Sequence, residues 1–380
     1  MIIKKAFFYR LKPKKAQLMQ FANFSGACRY IYNRGLEERK KAYEEENKSL
    51  RYFDQNLELT RLKKEEKTNW LKDIHSQILQ QALKDLNQSF ENFFRRVKQK
   101  QKPGYPRFKS KGIRDTFRYP QGVKIKDDTA YLPKIGWVKF RKTREVKGTL
   151  KQTTISRRGD HWYISFSCEI EIEDPPKAAI TEEKAIGIDL GLIHYGVLAS
   201  GKENKHIIIP PPKFLKNLLP RMRILSKRLS RKQKGSNNWK KAKNQLTKLH
   251  AKIRHARENF AHQLSTAIVK SHDIICVESL NIEELLQKKE LSRAIADAGW
   301  RQFLRYLKYK AHEKGKHFVE AGKYYPSTQL CSSCGHKAKI SLKERKYDCK
   351  NCGLQMDRDY NSSIVIKAAG MTVLKACGAT

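Results

Sequence analysis

Apolar positions along the first hundred residues recur at helical spacing. After a charge-interrupted opening strand over residues 1–10, Leu18, Phe21, Ala22, Ser25 and Tyr32 trace one helix face. Ile78, Leu79, Ala82, Leu83, Leu86, Phe90, Phe93, Phe94 and Val97 trace a stronger one, whose aromatic stripe is most simply core. From about residue 121 to 175 the period drops to two. Trp162, Ile164, Phe166, Cys168, Ile170 and Ile172 alternate with polar residues, the signature of a half-buried antiparallel strand. Together with the opening strand, this region is expected to close a small barrel with the helical segment inserted into it. Asp174-Pro175-Pro176 marks a boundary.

Beyond Lys184 the pattern is that of an α/β domain. Ala185-Ile-Gly-Ile-Asp189 and Ile274-Ile-Cys-Val-Glu278 are short buried strands, and residues 194–199 and 206–209 are hairpin partners of the first. A helical stretch over residues 213–270 is divided near Gly235-Ser-Asn-Asn, another helix is expected over residues 292–314, and a strand over 318–321.

Charge changes this picture. The chain of 380 residues holds 80 Lys and Arg against 38 Asp and Glu, a formal charge of +42 that concentrates any polyanion. Nucleic acid is the expected partner. Residues 213–257 contain sixteen Lys or Arg and no acidic residue, so intrahelical ion pairs cannot account for them. Arg228, Arg231, Lys232, Lys240 and Lys241 are the candidate phosphate contacts there. Residues 95–118 carry ten Lys or Arg with Tyr105, Phe108 and Phe117 between them and Tyr119 just beyond, which suits stacking and phosphate contact or, failing that, a linker with its aromatics tucked into a neighbour. Arg107, Lys109 and Lys111 are the candidates in this segment. No stretch approaches the roughly eighteen apolar residues of a membrane span, and no secretory or lipidation signal is evident. Cys28, Cys168, Cys276 and Cys377 are scattered, which suits a reducing, cytoplasmic setting.

The remaining cysteines carry chemistry. Cys331-Ser-Ser-Cys334 and Cys349-Lys-Asn-Cys352 have the spacing and polar turn residues of zinc knuckles, expected to hold one structural Zn²⁺; His336 is a spare ligand. A site closed by four thiolates leaves no coordination position for catalysis. Three carboxylates supply the alternative: Asp189 and Glu278 end the two buried strands, and Asp357 or Asp359 opens the last helix. In an RNase H-like sheet the first and fourth strands are neighbours and the last helix packs at their ends, so the three would converge. Such a cluster suits two Mg²⁺, or Mn²⁺, and in-line phosphodiester displacement.

Several motifs now resemble a family. Gly187-Ile-Asp189-Leu-Gly191, Val277-Glu278-Ser-Leu-Asn281-Ile282, Leu291-Ser-Arg293-Ala-Ile-Ala-Asp297-Ala-Gly-Trp300, Tyr325-Pro-Ser-Thr-Gln-Leu-Cys331 and Asp357-Arg-Asp359-Tyr-Asn361 resemble the RuvC motifs and zinc ribbon of TnpB, the transposon-encoded OrfB proteins related to type V CRISPR effectors. Ser362-Ser363, where the family has small Ala residues, and His194-Tyr195-Gly196 depart mildly from its pattern. The resemblance implies an RNA-guided DNA endonuclease with catalytic, magnesium-binding Asp189, Glu278 and Asp359. It implies a multidomain α+β architecture: a wedge-like β-barrel (1–12 and 119–176), a helical recognition insertion (13–118), a RuvC-like RNase H-fold domain (184–325 and 353–380) and an inserted zinc ribbon (326–352). Guide RNA and double-stranded target DNA are the implied partners, with one protein chain per ribonucleoprotein. The rivals are a guided DNA-binding repressor, which loss of a catalytic carboxylate would mark, and an unguided junction resolvase, which leaves the basic N-terminal half without a role. A transposase proper is disfavoured by the carboxylate order Asp, Glu, Asp.

Overall fold

The computed structural model describes residues 1–112, 115–322, 325–338, 340–341 and 344–376. Cys377 lies outside them. Two units divide the chain, Met1–Ile172 and Glu173–Thr380.

Unit 1 begins with β1 (Ile2–Lys12), continues through three helices, α1 (Lys15–Glu46), α2 (Tyr52–Leu62) and α3 (Ser76–Lys98), and returns as β2 (Thr116–Tyr119), β3 (Lys124–Lys126), β4 (Thr129–Leu132), β5 (Gly136–Phe140), β6 (Thr149–Arg158) and β7 (His161–Glu171). These strands form one antiparallel sheet in the order β2-β6-β7-β1-β5-β4-β3. The alternation seen in the sequence sets its inner face: Phe7, Tyr9 and Leu11 of β1 and Trp162, Ile164, Phe166 and Cys168 of β7 are buried. Helices and sheet share this core, with the Phe21 ring edge-on to Trp162 at 5.2 Å between centroids.

The α3 stripe is core only as far as Phe90. Phe94 and Val97 are exposed, and Phe93 packs instead against Tyr105 at 5.4 Å. Two of the aromatics expected to stack on nucleic acid are structural: Phe117 and Tyr119 belong to β2, where period-two alternation drives them into the core.

In unit 2 the order is β8 (Ala185–Asp189), β9 (Gly196–Ser200), β10 (Lys205–Ile209), α4 (Phe214–Ser230), α5 (Asn237–Ser271), β11 (Ile274–Val277), α6 (Ile282–Gln287), α7 (Ser292–Ala298), α8 (Trp300–Glu313), β12 (His317–Glu320), β13 (Lys346–Asp348), β14 (Gln355–Asp357) and α9 (Arg358–Ala376). The mixed sheet runs β10-β9-β8-β11-β12, so its first and fourth strands are neighbours and parallel. Both faces of β8 and β11 are covered, which is why their sequences are continuous apolar runs. The helix expected over residues 292–314 is two, α7 and α8, because Gly299 takes a left-handed conformation at φ 69° and ends the first. Among the described residues no helix is long and apolar enough to cross a membrane.

Candidate nuclease centre and zinc ribbon

Ile188 of β8 pairs in register with Val277 of β11. The next residue on each strand is a carboxylate, Asp189 and Glu278, so the two emerge side by side on strands about 4.8 Å apart. They lie at the carboxyl ends of the parallel strands, the edge where open α/β sheets place their ligands. Burial, then the charges of Glu278 and Asp359, push the Asp189 carboxyl up to about 8; the Ser362 hydroxyl and Arg358 oppose the shift. Glu278 is likewise raised, by burial. A buried carboxylate under the charge of two others suits a hard divalent cation, which offsets the burial and repulsion that favour its protonated form.

Asp357 and Asp359 take different jobs. Asp357 Oδ1 accepts from the Tyr360 N–H at 2.9 Å, so this carboxylate caps α9. Asp359, in the first turn, is the one whose charge reaches Asp189. Its Oδ1 accepts from Arg358 Nε and Nη2 at 3.2 and 3.0 Å, and Arg345 Nη1 approaches Oδ2 at 3.5 Å. Arg358 is buried and also donates to the Glu344 carbonyl at 3.0 Å.

The seat of α9 depends on close approach. A Cβ on Gly187 would fall 2.0 Å from the Ser363 carbonyl oxygen, so only glycine lets α9 lie against β8 there. Ser362 and Ser363 are fully buried at this contact, where side chains of serine or alanine size fit. Tyr360 stacks on His206 of β10 at 4.1 Å, holding the turn beside Asp359.

Sequence reasoning assigned no role to Asn361, yet it joins the two centres. Fully buried, it accepts from the Ser332 N–H at 2.9 Å and donates to the Leu330 carbonyl at 2.7 Å, gripping the backbone on both sides of Cys331. Hairpin β13–β14 runs straight into α9, and the Arg358 N–H donates to the Arg345 carbonyl at 2.8 Å. The only sequence signal was the placement of Asn361 two residues after Asp359.

The four ribbon cysteines bring their sulfurs within 4.8 Å of one another, the one such group of three or more ligand residues among the described residues. Cys331 to Cys352 and Cys334 to Cys349 are both 3.6 Å, far from a bonded disulfide. A tetrahedron with metal–sulfur bonds of about 2.3 Å has sulfur edges of about 3.8 Å, so the donor set fits zinc. Hydrogen bonds from Asn351, then from the His336 backbone, pull Cys334 down to about 6. The Leu354 N–H acts in the same direction on Cys352, but hydrogen bonding with Cys334 and burial prevail and raise it to about 11. His336 contributes its carbonyl, which accepts from the Cys331 N–H at 2.9 Å.

Arg228, Arg231, Lys232, Lys240 and Lys241 are exposed on α4, α5 and the turn between them, and α4 has no buried residue. Arg107, Lys109 and Lys111 are exposed in unit 1, the Lys109 ammonium lying 3.7 Å from the centre of the Tyr32 ring. Asp297 is a second residue that pattern alone did not reveal. Buried on α7, it accepts from the Leu215 and Lys216 N–H groups at 2.9 and 3.2 Å and from Arg257 Nη2 at 2.8 Å. It thereby caps α4, whose own cap residue Lys213 offers no side-chain acceptor, and ties α4 and α5 to α7.

Residues 165–289 match the OrfB_IS605 family model, described as "Probable transposase", residues 300–366 match the Cas12f1-like TNB domain, and residues 1–48 match a model described as a helix-turn-helix domain. In the structure that last segment is one strand and one continuous helix, β1 and α1. The chain is 36% identical over 393 residues to "Putative RNA-guided DNA endonuclease InsQ" of Escherichia coli (strain K12), covering 98% of this chain and 94% of that protein. It is 32% identical to a "Putative RNA-guided DNA endonuclease" of Streptomyces pristinaespiralis, covering 99% and 91%. A solved CRISPR-Cas12f ternary complex aligns over 93% of this chain and 81% of that one, at 16% identity and a TM-score of 0.40. By its full-length similarity to the first two relatives, the chain belongs to the TnpB family of transposon-encoded OrfB proteins.

Proposed function

We propose that this protein is a transposon-encoded, RNA-guided DNA endonuclease whose cutting centre is formed by Asp189, Glu278 and Asp359. The observation that carries this reading is the buried Asp189 carboxyl, on which the charges of Glu278 and Asp359 both act, at the end of a buried parallel strand pair in a chain of formal charge +42. Relatives that span nearly its whole length and are named for RNA-guided DNA cleavage support the guide.

Asp189, Glu278 and Asp359 would hold two Mg²⁺, or Mn²⁺. Bound there, such ions supply Lewis-acid stabilisation of the entering and departing oxygens in an in-line phosphodiester displacement. Asp189, its carboxyl raised by burial, would give up its proton on holding the cations. Arg358 holds the Asp359 carboxylate in orientation, and Asn361 fixes the first turn of α9 to the knuckle. Cys331, Cys334, Cys349 and Cys352 would hold a Zn²⁺ that keeps that knuckle folded.

The antiparallel sheet of unit 1 serves as the barrel-like wedge and its helices as the recognition insertion, within the boundaries drawn from the sequence. Arg228, Arg231, Lys232, Lys240 and Lys241 contact phosphates of the guide–target duplex, and Arg107, Lys109 and Lys111 contact RNA. Pairing supplies sequence choice, as in other guided effectors. One protein chain acts in each ribonucleoprotein, in the cytoplasm and on the nucleoid when engaged with DNA.

The test is cleavage of duplex DNA matched to the co-purifying RNA. Mg²⁺ is expected to support cutting and chelation to abolish it. Unchanged cutting in excess chelator would defeat the proposed centre.

A further inference from the structure

Unit 1 carries a groove on α1 that neither the cutting centre nor the basic helices use. It is open to solvent, offers a volume of about 620 Å³ and is lined in part by Arg29, Tyr30, Asn33, Arg34 and Phe108. That volume lies within the roughly 300–1,000 Å³ range of small-ligand pockets.

Phe108 is 53% exposed, and the chain is held on either side of it. The Lys109 N–H donates to Asn33 Oδ1 at 2.7 Å, and Asn33 Nδ2 donates back to the Lys109 carbonyl at 3.0 Å. On the other side, Tyr105 packs edge-on against Phe90 and Phe93 at 5.7 and 5.4 Å. A bare ring on a backbone fixed at both sides is pre-positioned for a partner, so little ordering cost remains on binding.

Tyr30, on the same groove, is backed by Trp70 at 5.6 Å, and Trp70 is itself 44% exposed. Arg34 donates to Glu38 at 2.9 Å and approaches the Tyr30 hydroxyl at 3.5 Å, and Arg29 pairs with Asp115 at 3.5 Å. Pre-oriented guanidinium groups beside aromatic faces are the chemistry that holds unstacked bases.

We propose that this groove holds one unpaired nucleotide of RNA, its base stacked against Phe108 and Tyr30 and its phosphate near Arg29 and Arg34. The inference rests on the RNA-guided reading above. Glu37 and Glu38 also line the groove. Carboxylates repel phosphate, but they accept hydrogen bonds from a ribose 2′-hydroxyl or an exocyclic amine. RNA offers both donors and DNA one, and duplexes offer no free base face, which favours an unpaired ribonucleotide.

The experiment is ultraviolet crosslinking of the purified full-length ribonucleoprotein, with mass spectrometry locating the joined residues. It is paired with RNA affinity for Phe108→Ala and for Phe53→Ala, a control on α2 that is 75% exposed. Crosslinks from RNA to Phe108 or Tyr30 are expected, together with a loss of affinity of about 5- to 160-fold in Phe108→Ala, the range for one stacked base. Phe53→Ala should bind as the native protein does. RNA present but never joined to the groove, with Phe108→Ala within twofold of native affinity, overturns the proposal alone. Crosslinks to target DNA at these residues overturn its choice of RNA. A native protein that purifies and functions without RNA overturns the guided reading beneath it.

Discussion

In the proposed cutting centre, Asp189 brings a pH sensitivity of definite direction. Its carboxyl is raised from 3.8 to about 8 in the folded protein. Between those values the folded state keeps a proton that the unfolded state has lost, so the contribution of Asp189 to stability declines as pH rises from about 4 through 8. Cation binding must expel the same proton, so apparent Mg²⁺ affinity should increase over the upper part of that range. Calorimetric titration at pH 6, 7 and 8 checks this, and an affinity independent of pH would remove the assignment. The two acids of the last motif separate as sharply. Asp359→Ala should lower cleavage by several orders of magnitude with RNA and target binding kept. Asp357→Ala should cost about 1 kcal/mol of stability through the lost cap while cutting persists.

At the scale of elements, the geometry depends on how α9 sits on β8 and β11. Gly187→Ala brings a methyl against the Ser363 carbonyl, so it should displace α9, destabilise unit 2 by about 3 kcal/mol and depress cutting, read by thermal melting and cleavage together. Removing zinc acts on the same helix from its other side. Metal analysis should find about one zinc per chain, and chelation should speed hydrogen exchange in the first turn of α9, because Asn361 would lose its fixed partners at Leu330 and Ser332. Zero zinc in an active preparation contradicts the role given to the four thiolates.

Much of this level was legible beforehand. The buried runs ending in Asp189 and Glu278 carry their period and length openly, and the knuckle spacing of the cysteines is local. Long-range partnerships were not legible. Nothing in the period around Asp297 tells that its carboxylate caps a helix eighty-odd residues earlier, and nothing around Asn361 tells that it holds Leu330 and Ser332. Aromatic spacing misled where a strand began: Phe117 and Tyr119 sit among cations in sequence, yet alternation in β2 turns both inward. The helix break at Gly299 is a backbone preference that apolar periodicity passes over.

Across the whole molecule, the acid-free basic stretch is the feature that folding alone does not need. Arg228, Arg231 and Lys232 are exposed, and phosphate contacts carry little sequence information. Neutralising all three should weaken binding to every target alike and reduce the slope of log K against log salt by about 0.9 per lost contact on a B-form duplex. An unchanged slope would mark them as solvated surface, and a new sequence preference would mark them as base readers. The central claim, guided cutting by the Asp189, Glu278 and Asp359 centre, has a more direct test. The RNA that co-purifies with the protein is sequenced, and duplexes matched and unmatched to it are offered in Mg²⁺ to the native ribonucleoprotein and to Asp359→Ala. The account predicts that the native complex cuts only the matched duplex and that Asp359→Ala binds this duplex without cutting it. Cutting that ignores the match, or that survives Asp359→Ala undiminished, contradicts it.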